Sequence, residues 1–260
     1  EIKMNDVVHD VAISIAAYDK HGFMTIHGAK SREWPKKATY ELNTSISVIS
    51  NEIEEFAGGL TCSKLEFLLI HSRNRSLKIP NNFFEGTGEL KVLDLRITID
   101  ISLLLSSLLF LRNLLTLHLG HNWKFSNISV IGKLLNLEIL SIYQSTIEEL
   151  PEEIGGLVNL KLLDLTRCRK LNRIAPGVIS ALVQLQELYM GGCGIIWERE
   201  GKDGGENASL REFESLSNLN TLEIKIKDVV CLPRIPLFSK LTKYSILIGY
   251  DSSITFHEGY

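Results

Sequence analysis

A hydrophobic pattern, L-x-x-L-x-L, returns every 22 to 25 residues through most of this 260-residue chain. Its clearest copies start at Leu90, Leu114, Leu137, Leu160 and Leu185. Weaker ones start at Leu65, Leu219 and Leu241, and a degenerate one at Asn43. The start-to-start spacings are 22, 25, 24, 23, 23, 25, 34 and 22, so a single insertion explains the outlier. Within each copy the last two apolar positions alternate, as Leu163 and Leu165 do around Asp164, which predicts a short strand with one face buried. One such strand cannot bury that face alone. The copies must therefore stack into a parallel sheet lining one side of an arc.

The eighth position after each start is where the chain leaves the strand and needs a small polar side chain. It is Asn51, Asn122, Ser145, Cys168 and Cys193 in five copies, and Arg73, Thr98, Lys227 and Gly249 in the others. Downstream, Ile147, Leu150, Pro151 and Ile154 supply an irregular return path, in which Pro costs no ladder hydrogen bond. A unit of this length and form is a leucine-rich repeat. The predicted fold is an α/β leucine-rich-repeat solenoid, with a curved parallel sheet on the concave face and irregular or short helical segments on the convex side. Residues 1–40 read as an N-terminal helical remnant and linker. Residues 41–260 read as about nine repeats, with an inserted loop at 194–213.

Net charge is only −3 with both signs interspersed, so electrostatics calls for neither nucleic acid nor a membrane surface. No apolar run approaches the length of a membrane-spanning helix. The four cysteines, Cys62, Cys168, Cys193 and Cys231, form no C-x-x-C and read as small buried thiols of a reducing compartment. N-x-[S/T] sequons at Asn43, Asn74, Asn127 and Asn207 would permit the opposite, an extracellular setting.

Two segments depart from the repeat. Met4 to Tyr18 puts Met4, Val7, Val8, Val11, Ala12 and Ile15 on one face of a short amphipathic helix. Gly194 to Phe213 holds Trp197 and Glu198 and then G-K-D-G-G-E-N-A-S, and reads either as a binding loop or as a disordered tip. The first segment, Met4-Asn5-Asp6-Val7-Val8-His9-Asp10-Val11-Ala12, resembles the M-H-D-[VL]-V-R-D-[VL]-A stretch closing the nucleotide-binding domain of plant nucleotide-binding/leucine-rich-repeat disease-resistance proteins. The second, with Trp197, Glu198, Asn207, Ala208, Ser209, Leu210, Glu212 and Phe213, is similar to an insertion in the coiled-coil branch of that family. The run from Ile147 to Leu165, I-E-E-L-P-E-E-I-G-G-L-V-N-L-K-L-L-D-L, is also typical of it.

The resemblance implies a cytoplasmic immune receptor that senses a pathogen effector or a guarded host protein and restrains its own nucleotide-binding domain until then. It would place Asn5 and Asp6 beside bound ADP, Asn5 standing where the family has His. No G-x-x-x-x-G-K-[S/T] occurs, so ADP or ATP is expected only in the intact receptor and no cofactor in this chain. Two other readings fit similar repeats: an extracellular receptor ectodomain, and the substrate-receptor subunit of a ubiquitin ligase.

No catalytic constellation is apparent, and the chain is expected not to be an enzyme. His118 and His121 lack a third metal ligand, and the Glu148/Glu149 and Glu152/Glu153 pairs fall on convex returns as solvated charge. What remains is the outward face of the concave sheet. Alternation turns Leu69, Asp94, His118, Ser141, Asp164, Tyr189, Glu223 and Ser245 outward, followed by His71, Arg96, Gly120, Tyr143, Thr166, Gly191, Lys225 and Leu247. The predicted partner-binding residues are Asp94, Arg96, His118, Ser141, Tyr143, Asp164, Thr166, Tyr189, Glu223 and Lys225, a stripe mixing Tyr, His, Arg and Asp of the kind protein interfaces favour.

Overall fold

The computed structural model describes residues 22–27, 34, 40–56, 58–99, 102–121, 127–199, 205–234, 237–238 and 240–249. Twelve strands follow one another: β1 (Phe23–His27), β2 (Ser45–Ile49), β3 (Phe67–Ser72), β4 (Val92–Ile97), β5 (Thr116–His118), β6 (Ile139–Ser141), β7 (Glu149–Leu150), β8 (Leu162–Asp164), β9 (Arg173–Ile174), β10 (Glu187–Tyr189), β11 (Thr221–Ile226) and β12 (Lys243–Ile248). Ten of them form one all-parallel sheet in sequence order, and β7 pairs with β9 on the return side. Every repeat therefore pairs only with the one before and the one after, as a solenoid requires.

The pairing register sets equivalent leucines side by side. Ile46, Leu68, Leu93, Leu117, Leu140, Leu163, Leu188 and Leu222 form one unbroken column across the strands, and each is fully buried. Burying one such side chain is worth about 1.5–3 kcal/mol over leaving it in water, so the column is the main source of cohesion between repeats. The returns are short helices, α1 (Ser102–Leu105) and α2 (Val178–Ala181), and 3₁₀ turns such as Ser129–Lys133, Glu152–Gly156 and Leu210–Ser215. Their apolar residues Ile131, Ile154, Ile179 and Leu210 close the core from the convex side. This is a leucine-rich-repeat solenoid.

Two further ladders run along it. The Asn just before a repeat start donates its amide to a carbonyl of the preceding repeat: Asn113 to Gly88, Asn136 to Arg112, Asn159 to Leu135 and Asn218 to Val183, at 2.8–3.2 Å. The buried thiols do likewise. Cys168 Sγ donates to the Ile142 carbonyl at 3.2 Å, and Cys193 Sγ to that of Leu165 at 3.0 Å. All four cysteines are buried and free. Burial pushes their thiol pKa values up, which keeps them protonated and able to donate.

At both ends the structure departs from what the repeat pattern predicts. The sheet already begins at β1, inside the stretch read as linker, where Met24 pairs with Ile46 and Ile26 with Val48. Trp34, from the same stretch, packs its ring against Phe56 with centroids 4.6 Å apart. At the other end Tyr244 occupies an expected core position beside Leu222, yet is 68% exposed. Among the described residues no further strand covers β12, so only Ile246 of that strand is partly buried against the core.

In its described parts the insertion at 194–213 is seated on the neighbouring repeats. Trp197 is buried and donates its indole N–H to the Lys225 carbonyl at 3.3 Å. Asn207 Oδ1 accepts the amide N–H of Ile174 at 3.0 Å. The Glu212 carboxylate accepts three amide N–H groups, of Gly177, Ile179 and Ser180, at 2.9–3.2 Å, and so caps α2 of the preceding repeat. The segment thus stands in for the missing convex return. The predicted helix from Met4 to Tyr18, with Asn5 and Asp6, lies outside the described residues.

Candidate functional site

On the concave face the predicted residues fall into register. Asp94, His118, Ser141, Asp164, Tyr189 and Glu223 lie one beside the next on successive strands, and adjacent parallel strands stand about 4.8 Å apart. Arg96 pairs with His71, and Lys225 with Leu247. Tyr143 and Thr166 follow their strands, where the chain turns away.

These residues are not equally accessible. Asp94 and Ser141 are buried, each 7% exposed, and spend their hydrogen bonds inside the protein, so they support the face more than they present it. Leu69, placed outward by alternation, is 2% exposed and lies between Ser47 and Asp94, both also buried. The face is therefore closed to solvent at that point.

Asp94 is the hub of the N-terminal half. Its Oδ1 accepts from Arg96 Nε at 3.0 Å and from His71 Nε2 at 3.1 Å, and its Oδ2 accepts from Arg96 Nη2 at 2.7 Å. Burial alone would raise the pKa of this carboxyl group. The His71 hydrogen bond and the charges of Arg96, His71 and His118 outweigh burial and hold it below its usual range. Next to it, burial lowers the pKa of His118 and also that of His121, where Arg96 and Arg73 add to the effect.

In the C-terminal half Ser141 Oγ donates to Asp164 Oδ2 at 3.0 Å, and Asp164 Oδ1 accepts the Thr166 amide N–H at 2.9 Å. Tyr189 donates its hydroxyl to Glu187. The two glycines in the stripe make room for their neighbours. A Cβ on Gly120 would lie 2.9 Å from the Tyr143 ring, and one on Gly191 would fall on the Glu223 carboxylate. His121, held at φ 61°, meets the edge of Tyr143 with ring centroids 4.8 Å apart.

Alternation did not find the residues just past the strand ends. There Asn51, Arg73, Arg75, Thr98 and His121 join His71 and Arg96 around a groove of about 650 Å³. From the β5 repeat onward a recurrent left-handed residue, His121, Gln144, Arg167 and then Gly192, sits seven positions after the repeat start and turns the chain off the strand axis. The signal was present as Gly192, but three of the four positions carry ordinary side chains. The whole face offers hydrogen-bonding groups, charges and Tyr rings on a rigid support. Among the described residues no group of three His, Cys, Asp or Glu could hold a metal ion. No helix among them is long and apolar enough to cross a membrane.

No protein-family model matches the chain. In solved structures the fold is similar to that of an internalin from Listeria monocytogenes, with TM-score 0.51, 19% identity and coverage of 80% of this chain and 62% of that one. It is also similar to a chain of the Toll–Spatzle complex of Drosophila, with TM-score 0.56, 14% identity and coverage of 83% and 27%. In sequence it is similar to disease resistance protein At4g27190 of Arabidopsis thaliana, 26% identical, covering 95% of this chain and 26% of that protein. Disease resistance protein UNI of the same plant is 28% identical, covering 86% and 22%. The chain thus spans about a quarter of the length of the curated relatives it matches, and those homologues are plant disease resistance proteins.

Proposed function

We propose that this chain is the leucine-rich-repeat recognition module of a cytoplasmic plant immune receptor of the nucleotide-binding/leucine-rich-repeat kind, in its coiled-coil branch. It is non-enzymatic. Its concave face engages a pathogen effector or a guarded host protein, and before that it holds the receptor's own nucleotide-binding domain inactive. A partner releases that restraint only through unequal affinity for the two states.

The observation that carries this reading is the rigid concave stripe from Arg96 to Lys225, polar and Tyr-bearing, on a chain whose relatives are disease resistance proteins. Four free thiols buried as hydrogen-bond donors support a reducing compartment. Both ends of the Asn74 amide are also engaged, with the Ile53 carbonyl at 2.8 Å and the Ser76 amide N–H at 2.9 Å, which leaves that sequon poorly placed for a glycan.

The test is a cell-death assay with the full receptor in leaf tissue. Tyr143→Ala, Asp164→Ala and Tyr189→Ala together should abolish partner-dependent death or release it without partner, at unchanged protein level. Glu152→Ala with Glu153→Ala on the convex side should do neither. Signalling altered by the convex pair alone would reject the reading, and a glycosidase-sensitive mobility shift of the native protein would move it to the cell exterior.

A further inference from the structure

The groove at the strand ends of the N-terminal repeats has a chemistry of its own. Arg73, Arg75, Arg96, His71 and His121 line it, and the carboxylate within reach, Asp94, is already taken by Arg96 and His71. Among the described residues Arg73 and Arg75 are exposed and have no carboxylate at ion-pair distance. Thr98 Oγ1, also at the groove, is buried without a hydrogen-bond partner. Ile49, half-buried, adds apolar surface beside the charges. Among the described residues, two guanidinium forks and an imidazole thus line a space with no free carboxylate.

We propose that this groove docks an extended acidic segment of a partner protein, whose neighbouring carboxylates take the Arg73 and Arg75 forks. The proposal deepens the recognition reading and rests on it. Arg and carboxylate pair through two parallel N–H···O bonds, which fixes direction as well as affinity. The groove reaches from Asn51, after β2, to His121, after β5, and three strand intervals amount to about 14 Å, the reach of about four extended residues. A compact anion would touch one or two repeats and leave Ile49 and the rest of the groove uncovered. Charge complementarity and the length of the groove therefore both favour a peptide.

The groove is tested on the 260-residue chain by fluorescence anisotropy with a labelled octapeptide alternating Ser and Glu. The peptide should bind, its Ser/Gln analogue should not, and added salt should weaken binding. Arg73→Gln with Arg75→Gln should weaken it at least about tenfold, corresponding to loss of charge-assisted bonds. Arg73→Glu with Arg75→Glu should instead bind an octapeptide alternating Ser and Lys. In the wild type the peptide should raise the pKa of His121, read by its imidazole proton resonances. Circular dichroism and the thermal midpoint establish that each variant is folded.

Failure of the acidic peptide to bind folded wild type, or equal binding by the double-Gln variant, overturns the proposal. So does tight binding of inorganic tripolyphosphate in the absence of peptide binding, which would make the groove a small-anion site. None of these results depends on signalling, so a negative cell-death assay beside positive peptide binding would sink the receptor reading and leave the groove standing.

Discussion

A Cβ on Gly132 would lie 2.1 Å from the carbonyl oxygen of Glu153 in the next repeat. The two 3₁₀ returns, Ser129–Lys133 and Glu152–Gly156, pack backbone to backbone there, and only a residue without a side chain allows it. The obstructing atom belongs to the main chain and cannot swing aside. Gly132→Ala should therefore cost about 1–3 kcal/mol, the usual range for overpacking. Gly88→Ala, where a Cβ meets nothing within 4 Å, should be neutral or slightly stabilising in the same urea titration. Equal loss in both would show that the returns do not pack as described.

Leu163 is fully buried between Leu140 and Leu188, while its neighbour Asp164 faces the concave side. Leu163→Ala should cost about 2–5 kcal/mol, from lost burial and the cavity left behind. Asp164→Ala gives up hydrogen bonds from Ser141 and Thr166 and should cost less, about 1 kcal/mol. Denaturant midpoints in the reverse order would mean that the strand is shifted by one residue.

That register was legible in the sequence because a two-residue period repeated many times leaves one way to face the core. β1 was not legible, since Met24 and Ile26 make a single alternation without the leucine frame. The seating of the insertion was hidden for another reason. Glu212 and Asn207 bond to amides 32 to 35 residues upstream, and nothing in the local sequence marks a carboxylate as a cap for a helix in the previous repeat. The concave stripe was readable as a set of outward positions, but not which members are accessible. Asp94 and Ser141 look like free polar groups until Arg96, His71 and Asp164 are placed beside them. The groove lies where alternation ends, so Arg73, Arg75 and His121 could be placed only by the backbone turn that carries them.

The Asn ladder was equally invisible to a search for leucines. Asn136 and Asn159 each donate across a repeat boundary, at 2.8 and 3.0 Å, from exposed positions. Replacing either by Ala should cost about 0.5–1 kcal/mol. Asp keeps the shape but has no proton to give a carbonyl, so Asn136→Asp should lose at least as much above the carboxylate titration range. An Asp variant as stable as wild type at pH 7 would show that the amide contributes shape alone.

The cluster around Asp94 predicts two separate acid limbs in the stability profile. The pKa of His118 lies below its ordinary 6.5, through burial first and then the charge of Arg96, against the opposing pull of Asp94 and Asp164. The pKa of His121 is also lowered by burial, with Arg96, Arg73 and His71 adding to the effect. A histidine with a depressed folded pKa is protonated more readily when unfolded. Stability should therefore fall as pH drops below about 6.5 toward the folded values. Asp94 has the carboxylate version of the same sign: its contribution is complete above 3.8, the ordinary value, and is lost only as pH falls through the lower folded pKa. Thermal midpoints measured from pH 7 to pH 3 should decline in the upper range in wild type and decline less in His118→Asn with His121→Asn. Asn tolerates the left-handed backbone at position 121, so the substitution should not add strain there. Asp94→Asn should lower the midpoint at neutral pH and flatten only the limb below about pH 4. A double-Asn variant with an unchanged upper limb would remove the histidines from the acid response and assign it to groups outside this cluster.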